Sequence, residues 1–127
     1  MTAPLPDPAA DASDATAVDP AALDAEIGET DWTAPIPGSV RSTFDAPSGP
    51  IAMVSLGDPA RPRVLLVPGA TGSKEDFVLM LPLIAEAGYF VQACDLAGNY
   101  ESAAAGPPPG GRYDYELFAA DLEAMLE

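Results

Sequence analysis

The chain contains no histidine. The commonest general base and the commonest metal ligand are therefore missing together, and no mechanism of its own can shuttle a proton through imidazole. Cysteine is nearly absent too. The single thiol, Cys94, excludes an intramolecular disulfide and supplies no thiolate spacing for a metal. Bases are scarce: 5 stand against 20 acids, for a formal net charge of -15. Such a surface repels phosphate backbones and anionic lipid alike, so neither nucleic acid nor a membrane is an expected partner. No apolar run approaches the roughly 20 residues of a membrane span. Met1–Ala10 also lacks the basic and apolar stretches of a secretory signal. A soluble, cytoplasmic protein is the expected setting, with no metal and no cofactor.

The acids are unevenly placed. From Met1 to Val40 there are eight and no base, with few large apolar side chains between them. So little apolar area does not offset about 1–2 kcal/mol of backbone entropy per residue. Residues 1–40 read as an acidic Ala/Pro/Asp-rich tail, largely disordered, most clearly so over residues 1 to about 28. One local pattern stands out: Asp19-Pro20 opens a short helix signature that closes at Gly28, with an N-cap acid, a first-position proline and a terminal glycine. Two turns are too short to persist alone. Trp32 and Ile36 offer anchors that could fold back onto the domain C-terminal to them.

From residue 41 the pattern is that of a folded domain, 41–127. Ser42–Asp45 and Ile51–Leu56 are strand candidates around a spacer of turn formers, hence a hairpin. Arg63–Val67 is an unbroken apolar run bounded by Pro68-Gly69, which suits a strand covered on both faces. Ser73 and Asp76 form a capping box opening a helix whose Phe77, Leu81 and Ile84 face inward. Pro82 is expected to kink that helix and Gly88 to end it. Tyr89–Cys94 is the next strand, Ala103–Gly111 a loop, and Asp114 caps a final helix. A strand, a helix and a strand within about 30 residues make a parallel βαβ unit.

The loop Pro68-Gly69-Ala70-Thr71-Gly72-Ser73 is where chemistry would sit, since a glycine-containing turn from a buried strand into a helix presents backbone N–H groups. Two readings compete. Gly69-Ala70-Thr71-Gly72 matches the first half of a dinucleotide-binding G-x-x-G-x-x-G, with Asp95 near the place of a ribose-binding acid. The third glycine position, however, is Glu75, followed by Asp76, and two carboxylates there would repel a pyrophosphate. Gly69 and Gly72 could also do no more than allow a tight turn.

The second reading covers far more of the chain. A hairpin, a buried strand ending in Pro68-Gly69-Ala70, and then Asp95-Leu96-Ala97-Gly98-Asn99-Tyr100-Glu101-Ser102 after the next strand resemble the N-terminal part of the serine-type α/β-hydrolases over about residues 42–127. Pro68 stands where those proteins usually carry histidine. The resemblance implies an α/β fold: an incomplete hydrolase sheet made of an antiparallel hairpin, a parallel βαβ unit and a C-terminal helix. It further implies that the backbone N–H of Ala70 is one of two oxyanion-hole donors, a role worth about 2.7–4 kcal/mol of barrier. The rest of the machinery is not here. No serine sits in a G-x-S-x-G turn, and there is no histidine for a triad. The expectation is therefore an N-terminal hydrolase fragment without catalytic residues, not active alone. It would be completed by a C-terminal half or a second polypeptide at the open edge left by Val64–Val67. The alternatives are a non-catalytic interaction module using that edge, or a degenerate dinucleotide-binding half-domain.

Overall fold

The computed structural model describes residue 3 and residues 17–127. Two units divide the chain, Met1–Asp31 and Trp32–Glu127. In the first, Pro20–Ile27 forms helix α1. Its start is the one the sequence spells: the Asp19 side chain accepts from the Ala21 N–H, Pro20 occupies the first turn, and Gly28 follows with φ 65°. All of α1 is exposed. The expected disorder of the N-terminal tail otherwise bears mostly on residues outside those described.

The second unit is built on a four-stranded sheet. Strands β1 (Val40–Ala46) and β2 (Gly49–Leu56) form the antiparallel hairpin, paired from Val40↔Ser55 to Ala46↔Gly49. The strands run further into the spacer than the sequence suggested, leaving Pro47-Ser48 as the turn. Gly49 has φ 132°, and a Cβ there would meet the Ala105 backbone at 3.0 Å, so only glycine fits. Strand β3 (Arg63–Leu66) runs parallel to β4 (Phe90–Cys94), and β4 runs antiparallel to β2. The order is β1-β2-β4-β3, which leaves β3 paired on one side only among the described residues.

Alternation along the strands divides the core between two faces. Ile51, Met53 and Cys94 pack with Met125, Leu117, Phe118 and Leu122 of helix α3 (Tyr115–Leu126). Val54, Val91 and Ala93 pack on the other face with Leu81, Ile84 and Ala85 of helix α2 (Met80–Glu86) and with Ile36. Because Ile36 reaches this core and Val40 already pairs with Ser55, the folded unit begins ahead of residue 41. The α3 layer is tied to the hairpin by Asp121, a buried carboxylate that accepts from both the N–H and the hydroxyl of Ser48.

Pro82 does not kink a continuous helix. Ser73 opens a short 3-10 turn, Lys74–Phe77, and α2 starts afresh at Met80, so Pro82 falls in its first turn. The first four N–H groups of a helix lack intrahelical partners, so proline removes nothing there. Gly88, with φ 96°, follows the Ala87 C-cap as anticipated.

Candidate functional site

The segments 68–77 and 95–102, which come after β3 and β4, meet at one end of the sheet. Asp95 joins them. Its carboxylate, fully buried, accepts from the Lys74 N–H at 2.7 Å, the Glu101 N–H at 3.1 Å and the Lys74 ammonium at 3.0 Å. Ser102, buried with it, donates its hydroxyl to the Asp95 carbonyl at 3.1 Å and accepts from the Ala52 N–H at 2.9 Å. The spacing from Asp95 through Gly98 to Ser102 thus closes a loop and pins it to β2. Gly98 has φ 82° and lies under the Tyr113 ring, where no Cβ could fit.

Lys74 is the centre of a charge cluster. Its side chain is 1% exposed, with the ammonium 3.2 Å from Glu75 and hydrogen-bonded to Glu101 as well as Asp95. Arg41 of β1 closes the ring, at 3.3 Å from Glu75 and 3.1 Å from Glu101. The Lys74 ammonium also lies 4.9 Å from the centroid of Tyr100, the one non-glycine residue among those described with positive φ. Burial pushes the Lys74 ammonium down, but hydrogen bonds to Glu101 and Asp95 and the charges of Asp95 and Glu75 outweigh it, so its pKa lies above the ordinary lysine value. The hydrogen bond from Lys74 holds Glu101 below the usual carboxylate range. Carboxylate oxygens of Glu75, Asp95 and Glu101 come within 4.8 Å of one another, a spacing that could hold a cation. The lysine ammonium already contacts all three. No buried side-chain polar atom among the described residues lacks a partner.

Sequence reasoning did not single out Lys74. The available signal was that it is the only lysine, directly after the glycine loop. Asp95 is fully buried, and the groups it accepts from, the Lys74 and Glu101 N–H groups and the Lys74 ammonium, belong to this chain. Glu75 lies in the buried cluster, whereas Asp76 is exposed and accepts from the Ser73 N–H at 3.2 Å as the capping box requires.

The loop itself is a turn in which the Gly72 N–H donates to the Gly69 carbonyl at 2.9 Å. A Cβ on Gly72 would collide with the Asp76 carboxylate and lie 3.2 Å from Pro68. Ala70 is exposed at the tip, and the Asn99 side-chain amide donates to its carbonyl at 2.7 Å. The Ala70 N–H donates to no protein acceptor among the described residues. Beside it runs a groove of about 320 Å³ lined by Ala70, Ala97, Gly98, Asn99, Tyr113 and Phe118. Cys94 lies below the sheet's end, fully buried, its thiol pushed up to about 11 by burial and by the charges of Asp95 and Asp121. It is a core residue. Among the described residues, no helix is long and apolar enough to cross a membrane.

No protein-family model matches this chain, and no curated protein does. Solved structures do. An epoxide hydrolase from an endophytic Streptomyces superposes with a TM-score of 0.63 at 34% identity, over 72% of this chain and 26% of its own. Epoxide hydrolase A from Mycobacterium thermoresistibile gives 0.62 at 25% identity, over 69% and 27%. A thioesterase domain from the curacin biosynthetic pathway gives 0.61 at 23% identity, over 69% and 32%. The chain therefore spans about a quarter to a third of the length of the enzymes it resembles.

Proposed function

We propose that the chain, whose fold matches part of solved α/β-hydrolase fold enzymes, forms the N-terminal part of a hydrolase, to which it contributes an oxyanion donor but neither nucleophile nor proton shuttle. The observation that carries this reading is the Ala70 N–H. It stands at the C-terminal end of β3, without a protein acceptor among the described residues, on a turn braced by Asn99. A fixed donor of this kind suits the stabilisation of negative charge developing on oxygen, as in the opening of an ester, thioester or epoxide. Gly69 and Gly72 serve it by keeping the turn tight, and Pro68, buried behind the turn, fills the usual histidine position.

Serine-triad chemistry needs a histidine and a nucleophile on a sharp turn, and neither occurs in this sequence. The remaining parts would come from further polypeptide, in the same chain or another, in a cytoplasmic setting. Assays of the 127-residue chain on p-nitrophenyl acetate and styrene oxide should give no turnover above buffer. Saturable turnover that tracks the purified chain would overturn the claim that it lacks catalysis of its own.

A second reading draws on the sheet edge. Among the described residues, strand β3 pairs only with β4, and Val64, Leu65 and Leu66 along it are half-buried apolar residues. An open apolar edge is a template for another strand. On this reading the chain is an interaction module completed by strand addition. Sedimentation of the chain as a strict monomer at high concentration, with a sharp cooperative melt, would count against it.

A further inference from the structure

Helix α1 has well-made ends but buries nothing. The Asp19 carboxylate takes the Ala21 N–H at 3.0 Å, Pro20 opens the first turn, and Gly28 leaves the helix at φ 65°. None of its residues is buried. At 8 residues it falls short of the roughly 12–15 at which an isolated helix holds in water. Leu23 and Ile27, one turn apart, stand 48% and 67% exposed. Apolar anchors at i and i+4 are the means by which a short helix seats in an apolar groove.

The residues bordering that pair set the chemistry of what covers it. At about 100° of rotation per residue, Asp24 falls on one flank of the Leu23–Ile27 stripe and Glu26 on the other, each about 60° from the nearer anchor. Ala21 and Ala25 take the back. Asp19, Glu29 and Asp31 lie beyond the ends, and no base occurs before Arg41. A groove that receives this helix must be apolar along its floor and basic along both rims. Apolar rims would strip water from Asp24 and Glu26 without replacing it, and acidic ones would repel them. An anionic bilayer has the wrong sign for the same reason. A second copy does too: the chain carries -15, and carboxylates already hold Lys74 and Arg41 of its five bases. We infer that α1 is a docking element for another protein, one whose apolar groove is rimmed by lysine or arginine. The helix lies outside the stretch 42–127 that resembles the hydrolases, so this inference is independent of the oxyanion reading.

The probe is a synthetic amphipathic helix of leucine and lysine, apolar on one face and basic on both borders, titrated into the ¹⁵N-labelled full chain. Amides of residues 21–28 should shift saturably. The same peptide with glutamate for every lysine should bind at least about tenfold more weakly. Leu23→Ala/Ile27→Ala keeps every charge and, because alanine is the best helix former, keeps the helix. It should weaken binding by about tenfold or more. Neither side chain is buried, so the spectrum of the folded unit should stay as it is. Undiminished binding by the double variant would reduce the contact to bulk charge attraction and overturn the inference. Equal binding of the glutamate peptide, or no saturable shift in residues 21–28, would overturn it as well. Shifts in α1 that grow with the concentration of the chain alone would make a second copy the occupant, against the basic-groove partner.

Discussion

Replacing Lys74 by methionine preserves most of its length and volume and removes its charge, so its effect isolates the electrostatics of the cluster. The side chain is 1% exposed, and the groups it would strand are buried as well: Asp95 wholly so, and Glu75 with 9% exposure. Arg41 would remain within reach of Glu75 and Glu101 only. Removing one partner of a buried ion pair costs about 3–5 kcal/mol, because the other charge is left uncompensated. That is a large share of the roughly 5–15 kcal/mol that stabilises a typical domain. At a urea dependence of about 1.5 kcal/mol per molar, the midpoint should fall by about 2–3 M. Circular dichroism and Trp32 fluorescence across a urea series would read it. Glu101→Gln is the control. Glu101 is 47% exposed, so its loss should cost no more than about 1 kcal/mol. Adding Asp95→Asn to Lys74→Met removes the stranded charge but sets an amide NH2 against the Lys74 or Glu101 N–H, so the double variant should recover only part of the Lys74→Met loss. A Lys74→Met loss below about 1 kcal/mol, or one no larger than that of Glu101→Gln, would refute the reasoning.

Other expectations concern pH and packing. Glu101 sits below its ordinary carboxylate value, so its contribution is present above that value and lost as pH falls; an acid titration of stability should weaken in Glu101→Gln. Lys74 sits above its ordinary value, and the Cys94 thiol rises from 9.0 to about 11. Both contributions are complete below the ordinary values and are lost as pH rises, so stability should decline from about pH 9 upward, less so in Cys94→Ala corrected for its lost packing. Native Cys94 should resist thiol reagents that label it quickly in urea. Gly57 has φ 100°, and a Cβ there would sit 2.5 Å from the Tyr89 carbonyl; Gly57→Ala should lower stability by about 1–3 kcal/mol in the same urea assay. Asp121→Ala should cost a similar amount by unpairing the Ser48 N–H and hydroxyl that anchor the hairpin to α3.

Local signals made much of this fold legible. The hairpin, β3, β4 and α3 emerge from strand periodicity, turn residues and the Asp114 cap, each a matter of neighbours along the chain. Pro82 shows where local reading slips. Proline marks a helix boundary as readily as a kink, and only the placement of Met80 at a fresh start decides between them. The site divides in the same way. The glycine turn, Ala70, Asp95, Gly98 and Ser102 were visible as a spaced motif. Lys74 was not, because its meaning lies in contacts with residues 21 and 27 positions away. The groove was equally hidden, since Tyr113 and Phe118 reach Ala97 and Gly98 only once α3 has packed on the sheet.

The most direct test of the oxyanion assignment is a graft. Residues 42–127 would replace the matching N-terminal segment of the Streptomyces epoxide hydrolase, which is 34% identical over the aligned region. A companion graft would carry Ala70→Pro. Proline suits the second position of the turn closed by Gly69 and Gly72, yet it has no N–H to offer. If the account is right, the first graft turns over epoxide, and Ala70→Pro lowers its kcat by about 10²–10³ with folding intact. Equal kcat in the two grafts would contradict it.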